Sequence, residues 1–428
     1  MAETGDAQSQ AQKPAAAALQ AKLNQGMALH RQGNLAAAER CYGEVLQRQP
    51  DHFDALHLLG VIARQTRRTE QGVELIERAI GFNPNVAEAY NNLGNALRDL
   101  KRPVEALASY DRAIALKPDF AEAHWNQSLC LLLMGHFEQG LHRYEWRKKL
   151  NEPMGVRSYP KPVWLGEENI AGKTLFVYTE QGLGDTIQFC RYGKLVEARG
   201  AKVIMSVQQP LCELLKQISP KIRVLKSNEE PMDFDYHCPL LSLPLALRTT
   251  LETIPREQQY LKSDEELRSI WSARLSPTTK PRIGVVWSGN TAHTKLHYRS
   301  IELQQFATIF SPDADWICLQ KEISEKDLAR LRQLGRIAFF GDDLRDFSDT
   351  AALLDLMDLV ITIDTSVAHL AGAMGKPVWV LLPCNPDWRW LLDRNDSPWY
   401  PSARLFRQQQ IGNWTTVIDQ VKNELRFA

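Results

Sequence analysis

The chain has 428 residues, 44% of them hydrophobic and 24% charged, the make-up of a soluble globular protein with room for roughly two to four domains. Its 51 basic residues balance 51 acidic ones, which excludes a global field drawing the chain to nucleic acid or anionic membrane. Seven scattered cysteines form no CxxC pair, no apolar run approaches the roughly 18 residues of a membrane span, and the N-terminus MAETGDAQSQ is no secretory leader, so a zinc cluster is disfavoured and a reducing, cytoplasmic setting is expected.

In chain order, residues 1–18 are expected to form a disordered tail. Beyond them Pro50, Pro84 and Pro118 recur at a period of 34 residues. Gly26, Gly60, Gly94 and Ser128 share one column in that register. Ala38, Gly72, Ala106 and Gly140 fill a second, and Tyr42, Ile76, Tyr110 and Tyr144 a third. Small residues let paired helices approach and the large ones fill the gaps between them. The pattern resembles the tetratricopeptide repeat, with four units over residues 19–152, and such repeats are usually interaction scaffolds. Trp125 and Trp146 extend the apolar surface of the last unit, where the stack is expected to dock on the C-terminal part of the chain. Asn24, Asn92 and Asn126 share a position on the first helices, broken by Leu58. An asparagine amide both donates and accepts, so such a column can hold an extended peptide. It resembles the asparagine column of the O-GlcNAc transferases; the plainer alternative is a set of ordinary exposed helix residues.

After a proline-spaced connector (Pro153, Pro160, Pro162) short apolar runs alternate with helical stretches. Strands are expected at 174–180, 201–207, 222–225 and 233–240, then at 282–289, 315–320, 336–341, 358–364, 377–383 and 403–408. This alternation predicts two parallel-sheet domains, 153–270 and 271–428, with a crevice at the carboxyl ends of their strands. The fold class is an N-terminal α-solenoid followed by two Rossmann-like α/β domains, the layout of GT-B glycosyltransferases.

The first of these strands runs into EQGLGDTIQFC, where Gly182, Gly184 and Asp185 stand at a strand-to-helix junction. Glycines there suit a phosphate loop, but a carboxylate at its mouth repels phosphate. Asp185 is therefore a helix cap or a base facing a substrate. Further on, Asp364-Thr365-Ser366 ends a strand and opens the helix VAHLAGAMG; a helix N-terminus with two hydroxyls suits a diphosphate. His369, one turn in, reads first as a packed helix-face histidine. The loop SGNTAHTKLHYRS carries Asn290, His293, Lys295, His297 and Arg299, cations among them able to neutralise a leaving diphosphate without metal. Asp233-Phe234-Asp235 has DxD spacing but enters an apolar strand, which favours a structural role over metal binding. In the cluster Pro386-Asp-Trp-Arg-Trp390, Trp388 and Trp390 are expected to line the cleft.

The order EQGLGDTIQFCRY, DYHCPLLSLP, GVVWSGN…RSIELQQF and DTSVAHLAGAMGKPVWVLLP resembles the heptosyltransferase-type GT-B family over about residues 165–415. Its fusion to repeats resembles bacterial protein glycosyltransferases, including those that modify flagellin. The resemblance implies a metal-independent transferase without cofactor, moving sugar from a nucleotide-sugar donor to a protein acceptor recruited by the repeats. Asp185 would be the general base. Asn290, Lys295, Arg299, Asp364, Thr365, Ser366 and His369 would meet the donor. Gln181, Gly182 and Gly184, with Asn24, Asn92 and Asn126 on the repeats, would meet the acceptor, and Gln188 would help orient substrate. A lipid-linked or lipopolysaccharide acceptor, and an inactive binding scaffold, are the alternatives.

Overall fold

A computed structural model describes residues 4–152, 157–289 and 299–425. The chain divides between Leu131 and Leu132 into two units. The first contains helices α1 (Thr4–Arg31), α2 (Leu35–Arg48), α3 (Phe53–Gln65), α4 (Thr69–Phe82), α5 (Ala87–Asp99), α6 (Pro103–Leu116) and most of α7 (Ala121–Leu133). Helix α1 starts at Thr4, so the segment expected as a disordered tail is largely helical. The alanine run 15–18 and the leucines after it favour helix by propensity.

The helices pair α1 with α2, α3 with α4 and α5 with α6, and the columns read from the sequence explain how. A Cβ on Gly26 would lie 2.5 Å from the Tyr42 ring, and one on Gly94 would lie 2.5 Å from the Tyr110 ring. One on Gly60 would lie 2.6 Å from Ile76. The glycine column is the space that the large column fills. Tyr42, Ile76 and Tyr110 are fully buried, and burying a side chain of this size is worth about 1.5–3 kcal/mol. A fourth column lies at the turns: Gly33, Arg67, Lys101 and Gly135 all take the left-handed conformation, with φ of 77°, 64°, 57° and 85°. The turn requires it in every repeat, and only two of the four residues adopt it without steric cost.

The second unit opens with the end of α7, α8 (Phe137–Tyr144) and a 3-10 turn, Glu145–Lys149. A four-stranded parallel sheet comes next: β1 (Thr174–Tyr178), β2 (Lys202–Val207), β3 (Arg223–Lys226) and β4 (Tyr236–Pro239), in the order β3-β2-β1-β4. The second sheet holds β5 (Arg282–Val286), β6 (Asp315–Cys318), β7 (Ile337–Phe339), β8 (Leu359–Ile363), β9 (Val378–Leu382) and β10 (Ala403–Arg407). Its order is β10-β9-β8-β5-β6-β7, all parallel. Counted from each sheet's first strand, the orders are 3-2-1-4 and 3-2-1-4-5-6 with the second sheet read from its β7 edge, the Rossmann arrangement. Its ligand crevice falls where the order reverses, at the carboxyl ends of β1/β4 and β5/β8.

Two boundaries differ from those read in the sequence. Arg147 belongs to the α/β unit, not to the repeats. Its side chain is fully buried and forks onto Glu180 at the end of β1, at 3.2 and 2.8 Å, while also bonding Ser242 (2.8 Å) and Glu145 (2.7 Å). The helix Glu265–Arg274 packs on the helix Phe347–Asp355 of the second sheet, with Trp271 Nε1 donating to Asp349 at 3.1 Å. The second half therefore begins before residue 271. Among the described residues no helix is long and apolar enough to cross a membrane.

Candidate functional site

A cleft of about 250 Å³ opens at the carboxyl ends of β5, β6 and β8. Ser288, Gln320, Thr365 and Ser366 line it from the second sheet, and Leu183 and Pro210 from the first. Gln320 shapes the turn after β5: its Oε1 accepts from Trp287 N at 2.8 Å and its Nε2 donates to Ser288 Oγ at 2.8 Å. Thr365 is the N-cap residue of the helix Ser366–Ala373, its side chain making no capping bond, and Ser366 and Val367 of the first turn line the cleft.

That helix meets the helix Leu183–Phe189 of the first sheet across the junction. Gly184 permits the approach, because a Cβ there would lie 2.8 Å from His369 Cδ2. Gly182 has an ordinary φ of −69° and serves as the N-cap. Asp185 Oδ2 accepts from the Gly182 N–H at 2.8 Å, so the capping role weighed for this aspartate is real. Its other oxygen, Oδ1, lies 2.5 Å from Arg389 Nη2. Burial raises the Asp185 carboxyl, and Arg389 pulls against that rise. Gln181 meets the Tyr144 hydroxyl, its Nε2 donating at 3.1 Å, and its carbonyl accepts from Gln208 at 2.7 Å.

On the facing side Arg299 Nη1 lies 3.0 Å from Asp364 Oδ2, and Arg299 Nη2 lies 4.0 Å from Asp387. Asp387 in turn holds Arg389 Nη1 at 2.8 Å. The charges thus alternate along Asp364, Arg299, Asp387, Arg389 and Asp185. Burial raises Asp364 despite Arg299. Burial also works against ionisation of Asp387, but Arg389 and Arg299 outweigh it and hold this carboxyl below its usual range.

His369 is buried, accepts or donates a 2.9 Å hydrogen bond with the Tyr400 hydroxyl, and stacks on Trp390. Burial lowers it to about 3, so the ring is neutral and offers no cation to a phosphate. Trp388 and Trp390 are 4% and 1% exposed and do not line the cleft, contrary to expectation. Trp388 packs against Phe137, Tyr144, Phe189 and Trp399, which is where large aromatic area is best buried. Asp233 and Asp235 stand at the amino end of β1, away from the cleft. Asp235 accepts from Thr174 N at 2.7 Å, and Asp233 is exposed beside Lys161. Gln188 is fully buried. Asn290, His293, Lys295 and His297 lie outside the described residues.

In the repeats, the asparagine column is partly used between neighbouring units. Asn92 Nδ2 donates to His57 Nε2 at 2.9 Å, and Asn126 Nδ2 donates to Asn91 Oδ1 at 2.9 Å. Asn24 is exposed and accepts from Gln20.

Sequence reasoning missed Arg389 and Asp387. The signal was present in the Pro386–Trp390 cluster, where the charged pair lies among tryptophans that look like the more obvious ligand contacts. The pair Arg147–Glu180 gave no signal, because its members are 33 residues apart and fall on either side of the connector.

Residues 23–87 and 87–120 match models of the tetratricopeptide repeat. Protein FlbA of Caulobacter vibrioides is 28% identical over 331 residues, which cover 70% of this chain and 54% of that protein. The chain thus spans about half the length of this curated relative. Among solved structures, a crystal structure of MamA is 24% identical over 31% of this chain and 72% of its own, with a TM-score of 0.28. YrrB, described as a TPR protein with an unusual peptide-binding site, is 20% identical over 30% of this chain and 67% of its own, with a TM-score of 0.28. The first unit is therefore a tetratricopeptide solenoid, a scaffold for a protein partner, and an α/β unit with two parallel sheets succeeds it.

Proposed function

We propose that the chain is a glycosyltransferase that moves sugar from a nucleotide-sugar donor to a protein held by the repeats. One observation carries the reading: the helix after β8, with its Thr365 and Ser366 hydroxyls, and the Asp185 helix of the other sheet converge on one junction beside the cleft. The N-terminus of the helix Ser366–Ala373 suits a diphosphate, and Arg299, ion-paired with Asp364, adds guanidinium donors there. Asp185, across the junction, is the carboxylate that takes the acceptor's proton in this reading. A protein acceptor such as flagellin fits the presence of the repeats. An inactive binding scaffold is the second reading, favoured by one observation: both Asp185 oxygens are engaged, one by Gly182 and one by Arg389.

Thermal shift against a panel of nucleoside diphosphates and nucleotide sugars tests the binding, since a ligand of the folded state raises Tm. At least one should stabilise the wild type, and Arg299→Ala and Asp364→Ala should abolish that shift. Asp185→Asn should retain it while losing transfer by about 10²–10⁴-fold. Chelator should leave transfer unchanged. Binding without transfer by the wild type on any acceptor would select the scaffold reading.

A further inference from the structure

The buried arginine in the Pro386–Trp390 cluster has no part in the binding scheme, yet it touches the proposed base. Arg389 is 5% exposed. Asp387 holds its Nη1 at 2.8 Å, and its guanidinium stacks over Trp388 at 4.5 Å and over Phe189 at 5.4 Å. Phe189 lies one turn after Asp185 on the same helix, so Arg389 grips that helix twice, through an ion pair and through a ring. Of the two nitrogens left, Nη2 lies against Asp185 Oδ1 as an ion pair, and Nε makes no hydrogen bond among the described residues. An arginine so clamped has one free edge and one direction in which to present it.

We propose that Arg389 is the positioning residue of Asp185: Asp387 fixes one edge of the guanidinium, and the other edge orients the Asp185 carboxylate. The pairing rests on geometry, while its part in a reaction rests on the transferase reading. In that reaction the acceptor O–H bond breaks as its oxygen bonds the anomeric carbon. The bond from that carbon to the diphosphate breaks with its electron pair going to the phosphate, and the proton goes to Asp185. As Asp185 becomes neutral, Arg389 loses its partner's charge and the cleft gains net positive charge as the leaving diphosphate gains negative charge.

The charged and titratable groups around Asp185 are Arg389, Asp387, Arg299, Tyr144 and His369. Burial holds Tyr144 up at about 12 and His369 down at about 3, so neither changes charge across the neutral range. The two arginines and Asp387 therefore set the local field.

The test is a carboxyl ¹³C titration of the full chain labelled at aspartate, with Asp185 assigned by its loss in Asp185→Asn. In Arg389→Gln its midpoint should rise by about 1–3 pH units relative to wild type, the usual effect of an adjacent arginine. Arg389→Lys should recover most of that difference. Should Arg389→Gln fail to fold, Arg389→Met, which keeps an apolar stem against Trp388 and Phe189, decides by the same upward shift. Titration of Asp185 in Arg389→Gln or Arg389→Met coincident with wild type would overturn the proposal. Expected shifts in a protein that no nucleotide stabilises would keep the pairing and remove the transferase reading instead.

Discussion

Replacing Arg147 by methionine removes the partner of a carboxylate that water cannot reach. The Glu180 side chain is 0% exposed, and the guanidinium supplies two of its bonds, at 3.2 and 2.8 Å. Methionine fills much the same volume, so the loss is electrostatic rather than a cavity. Breaking a buried ion pair on one side costs about 3–5 kcal/mol, whereas replacing both partners by apolar residues is commonly neutral or stabilising. Arg147→Met should therefore destabilise the α/β unit by about 4 kcal/mol, and Arg147→Met with Glu180→Leu should recover most of that. Ten of the eleven tryptophans lie beyond Leu131, so fluorescence-detected urea unfolding reports this unit. With m of about 2–3 kcal/mol/M, the single variant's midpoint should fall by about 1.5 M. The pH dependence has a definite sign. Burial already raises Glu180 above its usual value, and losing Arg147 raises it further. A carboxyl raised in the folded state favours folding when protonated, so the deficit should shrink as pH falls from neutral into the mildly acidic range. A pH-independent deficit below about 1 kcal/mol would refute the reasoning, since a buried pair broken on one side must cost more. A chain beginning at Leu132 keeps Arg147 and should fold, whereas one lacking residues 1–150 should not reach a cooperative native state.

Three further outcomes rest on the same geometry. His369 is lowered to about 3 from 6.5 by burial, so it contributes stability above pH 6.5 that is lost as pH falls; His369→Gln should flatten the dependence of Tm on pH on the acid side of 6.5 relative to wild type. Arg67→Gly and Lys101→Gly should each stabilise the repeats by about 0.5–1 kcal/mol, the left-handed penalty less the entropy of glycine, read in far-UV circular dichroism melts. Gly184→Ala should cost about 1–3 kcal/mol in the α/β unit, because its methyl would meet the His369 ring at 2.8 Å, and an unchanged Tm would show that the two helices separate freely.

The sequence alone determined the periodic features. The 34-residue columns placed Gly26, Gly60 and Gly94 under Tyr42, Ile76 and Tyr110, because a repeat buries its core against near neighbours and writes that packing into local spacing. The ten strands of the described residues fell within or beside the runs read from the sequence, because strands covered on both faces are nearly continuous apolar segments. The tertiary structure decided the pairings across distance. Asp185 was legible as a cap or a base; that it is held by Arg389, from the far end of the chain, was not. Arg147 looked like the end of a repeat until its fork onto Glu180 put it in the other unit. The tryptophans of residues 386–390 looked available for stacking and turned out to be core. Periodicity carries information between the neighbouring helices of a repeat, whereas a buried charge is defined by whichever counter-charge the fold brings to it.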